Sequence, residues 1–248
     1  MTDVHDLSRL TEVTASRGQW VIGILLTFAF ALLARGMRGV TNSGALAGAV
    51  ICLLLYLCGG PGAFAALISV FALAWITTRL GYQRKQKLGI AERREGRKAS
   101  QVLANLGVAT ACAAFSVISH GRGLFLLAAA AALSEAAADT VSSEMGQAFG
   151  KEARLVTTWS LVPPGTDGAV SLVGTLAGVV AAGIVSSVCL VGGLLPREWM
   201  AISVGTAILG MIADSFLGAW LERRHLINND SVNFLSTLVA ALAAFWLA

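Results

Sequence analysis

The chain reads as an all-α, polytopic transmembrane helix bundle of about eight spans, with both termini outside. Three observations carry that reading. Of 248 residues, 56% are hydrophobic and 13% are charged, where an ordinary soluble domain is about 25% charged. Mean hydropathy is +0.74. The apolar residues gather into windows near the ~20 residues that a helix needs to cross a bilayer core. The 27 glycines suit close helix packing in lipid.

Residues 1–19 form a polar N-terminal segment, and 20–248 a single transmembrane domain with a basic loop at 79–98. The N-terminal segment lacks the basic region and small-residue cleavage site of a signal peptide, so the first apolar run is expected to be retained. Apolar windows predict helices over Trp20–Ala34, Gly39–Cys58, Gly62–Thr78, Ser100–Ser119, Gly123–Gly150, Ala169–Leu195, Trp199–Leu221 and Ser231–Ala248. The first is short for a full span. Gly59-Gly60-Pro61 and Gly121-Arg122-Gly123 read as tight turns between neighbours.

Charge orients the bundle. Fourteen of the 18 Lys and Arg residues fall on one side: Arg35, Arg38, the 79–98 loop, Lys151, Arg154, Arg223 and Arg224. Basic loops stay in the cytoplasm. With no transit peptide visible, a bacterial inner membrane is the simplest compartment. A net charge of +4 then reports topology and anionic headgroups, and nucleic acid is not an expected partner. Cys52, Cys58, Cys112 and Cys189 lie in apolar stretches without metal-type pairing, and His5, His120 and His225 are scattered.

That topology gathers the intramembrane polar residues at the cytoplasmic ends of the spans. A carrier needs polar sites on a path to both faces. A one-sided cluster fits an enzyme working on a lipid headgroup.

The cluster centres on Leu133–Gly150, LSEAAADTVSSEMGQAFG. An acid at bilayer depth costs at least ~2.5–3.5 kcal/mol, so it is usually kept for use. Glu135 and Asp139 share a helix face. Glu144 stands about 140° round from Asp139, so both reach one ion only if the helix breaks or a substrate lies between them. Asp214, in GMIADSFLGAWLERR, shares a face with Gly210 and Gly218. Oxygen donors without His or Cys favour Mg²⁺, held by one or two carboxylates plus phosphate oxygens. Asp139, Glu144 and Asp214 are therefore the expected catalytic and metal-binding residues. The alternative for each is a hydrogen bond to a neighbouring helix or, for Asp139 and Glu144, pairing with an Arg.

Phosphate-binding candidates surround them. Pro164, Gly165, Thr166, Asp167 and Gly168 form a shaped loop running into a predicted helix N-terminus, where backbone N–H groups attract phosphate, and Ser171 can add a hydroxyl. It is not a P-loop, since no Gly-Lys-Ser/Thr follows. The 79–98 loop holds eight Lys or Arg against two Glu. Arg79, Arg93 and Arg97 are its candidates for a nucleotide's phosphates. Asn105 follows on the next helix, and Asn229, Asp230 and Asn233 open the last span.

Six segments, in order, resemble a known family: TTRLGYQRKQKLG, EGRKASQVLANLG, SEAAADTVSSEMG, VPPGTDGAVSLVGTLAG, ADSFLGAWLERR and NNDSVNFLST. They look like the integral-membrane family domain of unknown function 92, most strongly over Arg79 to Thr237. Its plant chloroplast member is a phytyl-phosphate kinase. The resemblance implies a prenyl-phosphate kinase here, with an isoprenoid phosphate lipid and a nucleoside triphosphate, CTP, as partners, within membrane lipid. It also implies Asp139, Glu144, Asp214 and Asp230 as key acids. Val141 stands where many members carry Trp, a difference of packing near the site. A CTP-dependent lipid cytidylyltransferase and a cation-coupled transporter are the alternatives.

Overall fold

The structure, a computed structural model, describes residues 17–91 and 95–248. It comprises α1 (Arg17–Gly36), α2 (Asn42–Arg79), the short α3 (Tyr82–Lys87), α4 (Ala99–Ile118), α5 (Arg122–Phe149), α6 (Leu172–Val191), α7 (Met200–Trp220) and α8 (Asn229–Leu247). Among the described residues, seven helices are long and apolar enough to cross a membrane.

The 38 residues of α2 would span ~57 Å if straight, nearly twice a ~30 Å hydrocarbon core. The helix instead breaks at Gly60, with φ 75° and ψ −171°, followed by Pro61. Its two limbs fold back on each other. Near its end, Trp75 Nε1 and Arg79 Nη2 both donate to Met37 O, at 3.1 and 2.7 Å, although Met37 precedes its start. The windows predicted at 39–58 and 62–78 are these limbs, and the glycine-proline turn is where expected. α1 lies along the first limb, with Thr27 Oγ1 donating to Cys52 Sγ at 3.4 Å.

One element departs from the all-α expectation. Ala153–Leu155 (β1), Leu161–Val162 (β2) and Ala169–Val170 (β3) form a small antiparallel sheet in the order β2-β1-β3. α6 consequently starts at Leu172, not Ala169, with Ser171 as its N-cap. Strands of two or three residues carry no readable alternation.

α5 is the axis of the bundle. It packs against α2, α4, α6, α7 and α8, and every residue from Leu127 to Ala138 is buried. Its alanine run explains this: small side chains let five neighbours approach, and contact rather than water exclusion drives helix association in lipid. Several hydroxyls inside the packing satisfy one another. Ser134, Ser186 and Ser203 form a hydrogen-bonded chain with 2.9 Å links. Outward faces are apolar, as at Leu25, Phe28 and Leu32 of α1.

The chain reverses direction at each loop, and the basic segments meet at one end. Arg84 of α3 donates to Ala148 O and Gly150 O where α5 ends. Arg97 N donates to Gly39 O. At the opposite end Gly62 packs on Gly192.

Candidate active site

Two helices bring two aspartates together. Asp139 comes from α5 and Asp214 from α7, and their carboxyls lie within side-chain hydrogen-bond reach. Glycines permit the approach. A Cβ on Gly210 would lie 2.6 Å from Glu135 Cγ, and one on Gly218 would lie 2.9 Å from Gly168 N. The face that Gly210, Asp214 and Gly218 share thus meets α5 at one level and the glycine loop at the next.

The pair's surroundings are acidic. Asp214 has Glu135 and Glu222 as charged neighbours, Glu222 has Asp167, and Asp139 has the Arg97 guanidinium. Asp214 Oδ2 and both Glu135 carboxyl oxygens are buried without a hydrogen-bond partner. Ser236 sits beside Glu135, but its hydroxyl donates to Asn233 O at 3.0 Å. Carboxyls packed this closely cannot all be ionised unless a cation stands among them; otherwise they keep or share a proton.

Two polar cavities meet at Asp139. One, of about 190 Å³, lies between Asp139, Asp214, Glu222, Asn229, Ser171 and the loop from Pro164 to Gly168. The other, of about 130 Å³, is lined by Arg97, Gln101, Asn105, Asp139, Glu144 and Asn233. Asp139, Ser143 and Asn229 belong to both. Among the described residues, no Lys or Arg lines the first cavity. Among the described residues, no three His, Cys, Asp or Glu side chains form a metal cage of their own. Two carboxylates that leave the remaining positions to phosphate and water are a Mg²⁺-type donor set, and the unpartnered Asp214 Oδ2 fits it.

The loop is held from within. Thr166 N and Oγ1 both donate to Pro163 O, at 3.2 and 2.7 Å, and Ala169 N donates to Thr166 O at 2.9 Å. Gly165 and Gly168 have φ of 83° and 74°, the left-handed region that glycine enters freely. Ser171 Oγ accepts from Gly174 N at 3.1 Å.

The other expected residues divide: Glu144, Arg97, Asn105 and Asn233 line the second cavity with Asp139, while Arg79 and Asp230 line neither polar cavity. α5 continues unbroken from Asp139 to Glu144, which turns Glu144 away by about 140°. Its carboxylate accepts from Lys85 Nζ and, at 3.1 Å, from Thr78 Oγ1. Arg79 stacks on Trp75 at 4.0 Å and reaches Met37 O, not the aspartates. Arg97 donates to Thr140 Oγ1 at 3.4 Å, beside the pair. Asn105 Nδ2 donates to Gln101 O at 2.9 Å. Asn233 is buried. Asp230 sits in the first turn of α8 and lines neither polar cavity. The cap there is Asn228, which accepts from Ser231 N at 2.9 Å. Arg93 lies outside the described residues. Glu222 joins the site unforeseen, Ser143 lines both cavities, and Lys85 stands behind them as the partner of Glu144. Lys85 lay inside a charge run and Glu222 beside two arginines, patterns that look like surface.

Fold and site together define a polytopic membrane protein with a carboxylate-lined site at one end of its helices. The family described as "Integral membrane protein DUF92" matches residues 25–241, and the chain belongs to it, as the six segments implied. An uncharacterized membrane protein of Methanocaldococcus jannaschii is 33% identical over 224 residues, covering 89% of this chain and 91% of that one. The chloroplastic protein VTE6 of Arabidopsis thaliana is 32% identical over 217 residues, covering 84% of this chain and 65% of VTE6. An uncharacterized membrane protein of Synechocystis is 31% identical over 200 residues, covering 79% and 77%. No solved structure matches the chain.

Proposed function

We propose that this protein is a Mg²⁺-dependent phosphotransferase that converts a prenyl monophosphate to its diphosphate, with a nucleoside triphosphate, CTP, as donor. The observation that carries the proposal is the Asp139–Asp214 pair standing where an acidic, glycine-looped cavity meets one lined by Arg97 and Asn105. The family resemblance, through its phytyl-phosphate kinase member, supports the isoprenoid class of acceptor. The gathering of basic segments at the same end supports a cytoplasmic site in a cell membrane.

Asp139 and Asp214 would hold Mg²⁺, which when bound neutralises charge on the donor's phosphates. The loop from Pro164 to Gly168 shapes the donor's cavity around its phosphates, and Asn229 faces both substrates. Arg97 and Asn105 orient the acceptor phosphate. One of its oxyanions forms the new P–O bond to the γ-phosphorus as the bond to the departing nucleoside diphosphate breaks. A phosphate monoester is already an oxyanion, so the site needs no histidine base, and among the described residues none lines either cavity. Positioning and charge neutralisation suffice for such transfer. Glu144 acts at one remove, holding Lys85 and Thr78 against α5.

Transport is less well supported. Beyond Glu135 the wall of α5 from Leu127 to Leu133 is buried and apolar, and among the described residues it offers a cation no carboxyl to move to.

The test incubates purified protein with farnesyl or phytyl phosphate, Mg²⁺ and doubly labelled CTP, then with other nucleoside triphosphates. Prenyl diphosphate and CDP are expected. Pyrophosphate release with a CMP-linked lipid would make it a cytidylyltransferase, and no turnover with any donor would end the enzymatic reading.

A further inference from the structure

A third cavity opens off the candidate active site, and it is apolar. It measures about 310 Å³ and lies between α1, both limbs of α2, and α4. Ala34, Gly48, Leu67, Val70, Phe71 and Leu106 form its walls. At one end the lining turns basic and polar, with Arg38, Arg79, Arg97 and Asn105. Arg97 and Asn105 also line the smaller polar cavity beside Asp139. The apolar space therefore leads, past an arginine, to the aspartate pair.

Two details mark this space as kept open. Gly48 sits within the first limb of α2, and a Cβ built there would meet nothing within 4 Å. Glycine in mid-helix weakens a helix relative to alanine, and no neighbour demands it. At the mouth, Arg38 holds a left-handed backbone with φ 54°, a conformation that costs a residue with a Cβ and that gathers at functional positions. The segment bearing Arg97 is pinned there too, by Arg97 N to Gly39 O and Thr41 N to Arg97 O, each 3.0 Å.

We infer that this cavity holds the tail of a single-chain isoprenoid monophosphate, its phosphate lying at the Arg97–Asn105 end. The inference rests on the phosphotransferase reading for the identity of the headgroup and for the isoprenoid class of the tail. Apolar walls ending in three arginines complement an amphiphile with one anionic end. The volume lies at the low end for small-molecule sites, ~300–1,000 Å³, which suits one chain and not two. Phosphate held at Arg97 sits next to Asp139, where transfer needs it.

The experiment separates the two readings. Farnesyl phosphate with a diazirine at its tail terminus is photolysed with the full-length protein in nanodiscs, without nucleotide, and the label is mapped by mass spectrometry. Label is expected on the cavity's lining in the 67–74 stretch of α2 and at Leu106. Unlabelled farnesyl phosphate should compete and phosphatidic acid should not. Gly48→Trp should abolish that labelling and raise KM for farnesyl phosphate at least tenfold, while KM for dimethylallyl phosphate stays within twofold. Gly48→Leu, which suits the helix better, should do the same in smaller degree and covers a folding failure of the larger variant. Label on lipid-facing residues such as Leu46 or Val50, equal competition by phosphatidic acid, or equal KM shifts for both tails would overturn the cavity assignment. Turnover with label elsewhere removes the cavity alone, and cavity labelling without turnover removes the phosphotransferase alone.

Discussion

Lys85 and Glu144 form an ion pair inside the bundle's basic end. Lys85 is 1% exposed, and its ammonium also donates to Thr77 O and Thr78 O at 3.1 and 2.8 Å. Glu144 takes a second hydrogen bond from Thr78 Oγ1. One contact thus ties the end of α2, the short α3 and the last turns of α5. The same carboxylate lines the smaller polar cavity beside Asp139.

Removing one partner of a buried pair leaves the other charge uncompensated, at a cost of ~3–5 kcal/mol. Lys85→Met should lower stability by about 3 kcal/mol, the low end, since Glu144 keeps Thr78. Glu144→Leu should cost less, because Lys85 keeps two carbonyls. The double variant should recover most of the loss. Unfolding midpoints in detergent measure all three, and a double variant no better than Lys85→Met would show the pair to be uncoupled.

The aspartate pair makes the opposite prediction, loss of activity without loss of fold. Asp139→Asn and Asp214→Asn should each lower turnover by at least 10²–10³, the scale for losing one electrostatic stabiliser. Unfolding midpoints should hold or rise, because each change removes one of two carboxylates in contact. The double variant should be little slower than either single, as expected of groups acting as a unit. Near-normal turnover in either single variant refutes the pair's role.

These contrasting roles explain what could be read in advance. The helices were legible because apolar windows near 20 residues have few other uses, and the hairpin in α2 because Gly59-Gly60-Pro61 interrupts one. The sheet was not, because its strands are too short to alternate, and α3 was not, because six residues inside a charge run have no apolar face. At the site, residue types were legible and partners were not. Gly210 and Gly218 flanking Asp214 marked a face of close approach without naming α5 as the neighbour. Helical arithmetic alone separated Glu144 from Asp139, but Lys85 was one of eight basic residues in its loop. The cap of α8 falls on Asn228, and Asp230 sits in the first turn of the helix, a placement that the composition of Asn228-Asn229-Asp230 does not decide.

Gly168 tests the donor's loop. Its φ of 74° disfavours any side chain, by roughly 1–2 kcal/mol, and a Cβ there would lie 2.5 Å from Ala219 N. Gly168→Val should lift the loop off α7 and raise KM for the nucleotide at least tenfold. Tail labelling by the farnesyl probe should not change. Gly107→Ala is the control: a Cβ at Gly107 meets nothing within 4 Å, and alanine in α4 should be neutral or stabilising by up to ~1 kcal/mol. Unchanged nucleotide kinetics in Gly168→Val would separate the loop from the donor.

Glu135 is the remaining acid, and the strangest. It is 1% exposed, neither oxygen has a hydrogen-bond partner, and Gly210 packs on its Cγ. A buried polar group left unsatisfied costs about 1–3 kcal/mol, and replacing it with an apolar group of similar shape is neutral or stabilising. Methionine is unbranched and passes Gly210 as glutamate does. Glu135→Met should therefore raise stability by about 1–3 kcal/mol on that scale. Its effect on turnover decides what the carboxyl is for. Glu135 lies one helical turn below Asp139 and neighbours Asp214, so a negative charge on it would stand behind the proposed Mg²⁺ site. If that charge strengthens the site, Glu135→Met raises the Mg²⁺ concentration for half-maximal turnover several-fold while saturated turnover holds. A stabilised protein with unaltered Mg²⁺ dependence would assign Glu135 to packing alone, and a destabilised one would mean that its oxygens have partners after all.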